Sequence, residues 1–146
     1  MARFTRKSPK KYFSGLTRKK AVERKKEISK FGSMSWKNPL AYVGFKTDKG
    51  VKTRKSSYSR VWERKYPGVK SLEERSKFTG VPLHILKESY NRGLAAWRTG
   101  HRPGATQQQW GYARVSSFLL KGKTYMTTDS DLARKSSKCA WWNKSR

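Results

Sequence analysis

The chain has 146 residues with 36 Lys+Arg against 9 Asp+Glu, a formal net charge of +27, and is long enough for one domain or a small domain with arms. No window approaches 18 uninterrupted apolar residues, and Met1 to Gly15 is basic without an apolar leader, so neither a membrane span nor a secretory signal is expected. One cysteine, Cys139, excludes an intramolecular disulfide framework and a Cys-rich zinc site, while the charge asks for a polyanionic or acidic partner and leaves the fold open.

Residues 1–14 read as an extended basic arm with Phe4, Tyr12 and Phe13 as anchors. A helix is predicted from an N-cap at Thr17 to a stop at Gly32. Its apolar members, Ala21, Val22, Ile28 and Phe31, form a narrow stripe. Lys19, Lys20, Arg24, Lys25, Lys26 and Lys30 cover the remaining surface, so this helix is expected to bury little and to present a basic face. Glu23 and Glu27 relieve the repulsion locally. After a linker at 33–39 anchored by Trp36, the run LAYVGFK, the turn TDKG and the run VKTRKS predict a short β-hairpin over about 40–56. Lys52, Arg54 and Lys55 make its second strand very basic. Residues 57–66 read as one or two helical turns ended by Pro67-Gly68.

Stronger helix signals follow. Ser71 and Glu74 form a capping box that opens a short helix stopping near Gly80. Pro82 suits the first turn of the next helix, whose stripe is Leu83, Leu86, Tyr90, Leu94 and Trp97, with an interruption or end near Asn91-Arg92-Gly93. After the loop RTGHRPG, Thr106 and Gln109 are a second capping box for a helix to Lys121. Lys123 to Met126 suits a short strand, and Asp129 to Lys138 a last turn or helix. Six Trp, seven Tyr and six Phe supply a core built from rings, which basic disordered tails lack. Charge is densest early, at net +17 over 1–65 against +10 over 66–146. The expected fold is mainly α with a small β-hairpin (α+β): a small helical C-terminal domain with an extended basic N-terminal arm. Its parts are 1–39, the arm with one helix; 40–68, the hairpin and connector; and 69–146, the helical domain with an aromatic core.

Four constellations carry chemistry. Residues 71–92 suggest a helix-turn-helix, with His84 and Lys87 as groove contacts; the competing reading is a helical hairpin used for packing. Arg98, His101 and Arg102, in a glycine-containing loop before a helix start, suit a phosphate or carboxylate; alternatively the arginines tie the loop to Glu73, Glu74 or Glu88. An active site has little support. His84 and His101 have no ligand-spaced neighbours, Asp129 and Asp131 read as caps more readily than as a cation site, and no nucleophile elbow or P-loop occurs. Basic and aromatic residues interleave over 1–65, which suits single-stranded nucleic acid through stacking and phosphate contacts, or an acidic protein surface with rings as anchors.

The segments KYPGVKSLEERSKFTGVP and YNRGLAAWRTGHRPGATQQQWGYARVSSFLLKGKTYMTTDSDLAR, with YFSGLT, KEISKFG and AYVGFKTDKG, carry a resemblance over roughly residues 11–134. The chain resembles a family of small basic proteins encoded by large double-stranded DNA viruses, including those infecting algae. That resemblance implies a virion setting and transfers no catalytic residue. The expected function is therefore a non-enzymatic virion structural protein of minor-capsid type, made in the infected host cell. Its partners would be the major capsid protein and neighbouring minor proteins, with DNA as a further partner and no cofactor or metal. The alternative is a nucleic-acid-binding protein that packages or regulates viral DNA. Candidate anion contacts are Lys19, Lys20, Arg24, Lys25, Lys26, Lys52, Arg54, Lys55, His84, Lys87, Arg98, His101 and Arg102.

Overall fold

Local capping chemistry sets the helix boundaries of the structure, a computed structural model that describes residues 10–51, 53 and 56–143. The Thr17 hydroxyl accepts the Lys20 N–H at 3.2 Å and opens α1, Arg18–Gly32. Ser56 caps α2, Ser57–Lys65, which ends before Pro67 and the left-handed Gly68. Ser71 and Glu74 form the reciprocal capping box of α3, Leu72–Thr79, and Gly80 closes it with φ 81°. Helices α4, Leu83–Trp97, and α5, Gln107–Leu119, follow. Two short helices, α6 at Lys123–Met126 and α7 at Ser130–Lys135, complete the α set. Single 3-10 turns lie at Lys10–Phe13, Pro39–Tyr42, Lys46–Asp48 and Ala140–Asn143.

The described residues are mainly α and contain no strand, which corrects the expected β-hairpin over 40–56. Pro39 sits at the start of a 3-10 turn, with the Asn38 side chain accepting the Leu40 N–H at 3.0 Å. Farther along, the Glu27 carboxylate takes the Lys46 N–H at 2.6 Å and the Thr47 N–H at 3.4 Å. A helix side chain thus satisfies backbone donors that a hairpin would have given to a partner strand. Lys52, Arg54 and Lys55, on the second predicted strand, lie outside the described residues. Lys123 to Met126 is likewise a helical turn and not a strand.

Helix α4 passes through Asn91-Arg92-Gly93 without interruption. Gly93 is a packing residue here, because a Cβ on it would stand 2.8 Å from the Gly111 Cα of α5. Gly111 in turn faces the Tyr90 ring, whose Cε1 would lie 2.6 Å from an added Cβ. Two glycines let α4 and α5 approach at backbone distance.

The chain divides into two compact units that do not follow its order. One comprises Met1–Arg54 with Ala95–Thr106, the other Lys55–Leu94 with Gln107–Arg146. In the first unit the Phe31 and Phe45 rings stack at 5.3 Å, and Phe45 meets Trp97 at 6.0 Å. The second unit holds a larger apolar cluster around Trp62, Leu86, Val115, Phe118, Leu132 and Trp142. Each large apolar side chain fully buried there contributes about 1.5–3 kcal/mol. Arg75 is buried between two rings of this cluster, its guanidinium carbon 5.0 Å from the Trp62 centroid and 5.1 Å from that of Tyr112. It donates to the Lys70 carbonyl and to Ser116 Oγ, and burial lowers its pKa to about 10.

Candidate functional site

Helix α1 has two faces of opposite character. Its inner face buries Arg24 and Phe31, while Lys19, Lys20, Lys25 and Lys26 are exposed. Among the described residues, none of these four lysines has a carboxylate within ion-pair distance. Helical periodicity places Arg18, Lys19, Val22, Lys25, Lys26 and Lys30 on the face opposite Arg24. The expectation that this helix buries little is thus too simple, because one of its cations is among the most buried residues of the chain.

Arg24 fails as an anion contact for a clear reason: its donors are all spent inside the first unit. Nε donates to the Tyr12 carbonyl at 2.9 Å, Nη1 to Thr47 Oγ1 at 2.8 Å and to Asp48 Oδ1 at 2.7 Å, and Nη2 to the His101 carbonyl. The guanidinium also lies over the Phe45 ring, 4.6 Å from its centroid. The acceptors come from three separate stretches of chain, so one side chain ties the unit together. Asp48 accepts from Arg24, from His101 Nε2 at 2.7 Å and from the Gly104 N–H at 2.9 Å. Burial opposes its ionisation, but the His101 and Gly104 hydrogen bonds and the adjacent positive charges outweigh it, so its pKa is lowered. Glu27 completes the cluster by accepting from Thr47 Oγ1.

The loop expected to hold an anion is largely committed to this network. His101 is buried, stacked on Trp97 at 4.4 Å with an interplanar angle of 10°, and its Nδ1 meets the Trp97 carbonyl at 2.8 Å. Arg98 Nη1 donates to the Phe31 and Gly32 carbonyls, placing a cation on the C-terminal end of α1. Only Arg102 of the three is exposed. Among the described residues the loop is tied to Asp48 and to the end of α1, and no ion pair joins it to Glu73, Glu74 or Glu88.

In the second unit, α3 and α4 are joined by Gly80, Val81 and Pro82, and both His84 and Lys87 are exposed near the start of α4. Asp129 and Asp131 are engaged by arginines. Ser89 Oγ donates to Asp129 at 2.7 Å, Arg114 Nη2 at 2.7 Å and Arg92 Nη1 at 3.1 Å. Asp131 receives a bidentate contact from Arg92 at 2.9 and 2.8 Å, which holds its carboxyl well below the usual carboxylate range. Arg92 and Arg114 are the functional-looking residues that pattern reading passes over. Their signal is only the local excess of arginine opposite the D-x-D pair. Among the described residues, no three His, Cys, Asp or Glu side chains group to hold a metal ion, and no helix is long and apolar enough to cross a membrane.

Neither a curated protein nor a solved structure matches the chain. A family model does, that of a family of unknown function, DUF5824, over residues 9–135. With most of its length matched, the chain belongs to the DUF5824 family.

Proposed function

We propose that this protein is a non-catalytic basic structural component of a virion that binds nucleic acid through the outer face of α1, chiefly by phosphate contacts. The observation that carries the reading is the pairing of buried Arg24 with exposed Lys19, Lys25 and Lys26 on the opposite face and exposed Lys20 beside it, none of which has a carboxylate within ion-pair distance among the described residues. An internal network fixes the helix with these lysines turned to solvent. The 15 residues of α1 span about 22 Å. Duplex DNA presents about 13 phosphate charges over that distance, a density that few acidic protein surfaces equal. Lysines carrying single point charges suit sequence-independent contact better than base reading. The virion setting rests on the resemblance to basic proteins of large DNA viruses.

Salt dependence of binding to a mixed-sequence duplex tests this. Affinity should fall steeply with salt, and the variant K19Q/K20Q/K25Q/K26Q should flatten the log–log slope by about 1 to 3.6 units. An unchanged slope in that variant would remove α1 from the interface. His84→Ala with Lys87→Ala should leave sequence preference unaltered; a lost preference would instead favour groove reading by α4.

A further inference from the structure

Three apolar side chains stand in water within one short stretch of the first unit. Trp36 is 58%, Leu40 63% and Val43 68% exposed. Leu40 and Val43 are three residues apart across the 3-10 turn Pro39–Tyr42, a spacing that superposes side chains along one side of such a turn. The stretch is well anchored. Tyr42 Oη donates to the Trp36 carbonyl at 2.6 Å, Asn38 caps the turn, and Ala41 beneath it is buried. Apolar residues scattered singly over a surface are ordinary, but three so exposed on one anchored stretch, residues 36–43, are not.

The exposed charges carried by this stretch are all positive, and the Glu27 carboxylate that reaches it from α1 is taken up by the Lys46 and Thr47 N–H groups and the Thr47 hydroxyl. Lys37, Lys46 and Lys49 are exposed, and Lys37 Nζ stands 5.3 Å from the Trp36 ring centroid. The only carboxylate between residues 33 and 51, Asp48, is turned toward Arg24 and His101. An occupant must therefore cover apolar surface and bring negative charge to its edge. A second copy of this chain brings +27 and like-charged edges. Nucleic acid supplies the charge but stacks on rings, and Leu40 and Val43 offer none.

We infer that the Trp36–Leu40–Val43 patch docks an acidic, amphipathic segment of another protein. Its apolar side covers the three side chains, and its carboxylates meet Lys37, Lys46 and Lys49. This site is separate in its residues from the lysines of α1, so either reading stands without the other.

The full chain is titrated against three fluorescent probes: a synthetic helical peptide with a leucine face and a glutamate face, poly-glutamate of equal charge, and a mixed-sequence DNA duplex. The leucine-faced peptide should bind at least about tenfold more tightly than poly-glutamate. W36S/L40S/V43S should erase that difference while leaving DNA affinity unchanged. Leu40→Glu alone, a single change at an exposed position, should act in the same direction. Equal affinity of the wild-type chain for the two acidic probes would overturn the inference, as would an undiminished preference in the variants. A fall in DNA affinity in W36S/L40S/V43S would reassign the patch to nucleic acid. A wild-type dimer that this variant dissociates, seen by sedimentation, would reassign it to a second copy. Loss of DNA binding in K19Q/K20Q/K25Q/K26Q with peptide binding intact separates this site from the α1 interface.

Discussion

Each unit centres a network on an ion at 0% exposure, a cation in the first and an anion in the second, and the two differ in how much else they bury. The first unit is centred on a cation, Arg24, at 0% exposure, and its aromatic neighbours Phe31, Phe45 and Trp97 are few. The second unit buries an anion, Asp129, also at 0%, but its two arginine partners keep 29% and 17% of their side-chain surface. It also has a broad apolar cluster independent of that ion. A buried charge is costly unless fully paired, so the same device has unequal weight in the two units. In the first it organises the fold, whereas in the second it fastens α4 and α5 to the segment that leads into α7. A chain with so few carboxylates spends two of them, Asp48 and Asp129, on buried arginine networks.

Arg24→Met is the strongest way to break that comparison. It removes the cation paired with Asp48, which keeps only His101 and the Gly104 N–H, and takes a donor from the Thr47 hydroxyl and the Tyr12 and His101 carbonyls, a loss of about 3–5 kcal/mol. Amide hydrogen exchange reads the units separately. Protection should collapse in α1 and across 95–106 while α2, α3 and α5 keep theirs. Equal collapse in both would mean that the units do not differ as described. Asp129→Asn keeps the shape and the Ser89 contact but removes the charge facing Arg114 and Arg92. Because both arginines reach water and Arg92 retains Asp131 and Glu88, the cost should be nearer 2 kcal/mol. The exchange change should concentrate in α4, α5 and α7. A loss as large as that of Arg24→Met would show that this anion is as central as the cation.

What was legible in the sequence follows the same division. Helix ends rest on local chemistry, and Thr17, Ser71 with Glu74, and Gly80 act as their residue types require. The two buried networks are non-local and left little trace. Arg24 carries the same charge as its exposed neighbours Lys25 and Lys26, and nothing nearby in the chain marks it as the one turned toward Tyr12, Asp48 and His101. Over 40–56 the alternation of apolar and polar residues suits a strand, while the competing signals are short-range: Pro39 and the Asn38 cap. Glu27, which takes the Lys46 and Thr47 N–H groups, lies about twenty residues away. Gly93 suggests a break, because glycine costs about 1 kcal/mol inside a helix. Its reason is Gly111, which only the packed pair of helices reveals.

Gly93→Ala sharpens the comparison from the second unit's side. The new methyl meets the Gly111 backbone at 2.8 Å, the Trp110 carbonyl at 3.2 Å and the Arg114 Cβ at 3.3 Å. Overpacking of this kind costs about 1–3 kcal/mol, and better helix propensity returns up to about 1, leaving a net loss of about 1–2 kcal/mol. Exchange should quicken in α5 and the first part of α4 with α1 unchanged. A variant as stable as the parent would show that the two helices part readily.

Acidification gives the smallest effect and the finest discrimination between the units. The Asp48 pKa is lowered in the fold, so this carboxylate contributes stability that is present above the ordinary Asp value of about 3.9 and is lost as pH falls through the lowered value. Asp131 is held much lower by Arg92, and at 41% side-chain exposure its protonation releases little. As pH drops below about 4, the first unit should therefore loosen before the second. Exchange at α1 and at residues 98–104 should rise while α5 stays protected, and carboxyl carbon resonances should show Asp48 titrating ahead of Asp131. The loss should stay below that of Arg24→Met, because protonated Asp48 still accepts hydrogen bonds and Arg24 keeps its carbonyl and hydroxyl partners. A second unit that loosens first on acidification would mean that the Arg24–Asp48–His101 network is not the electrostatic weakness of the chain.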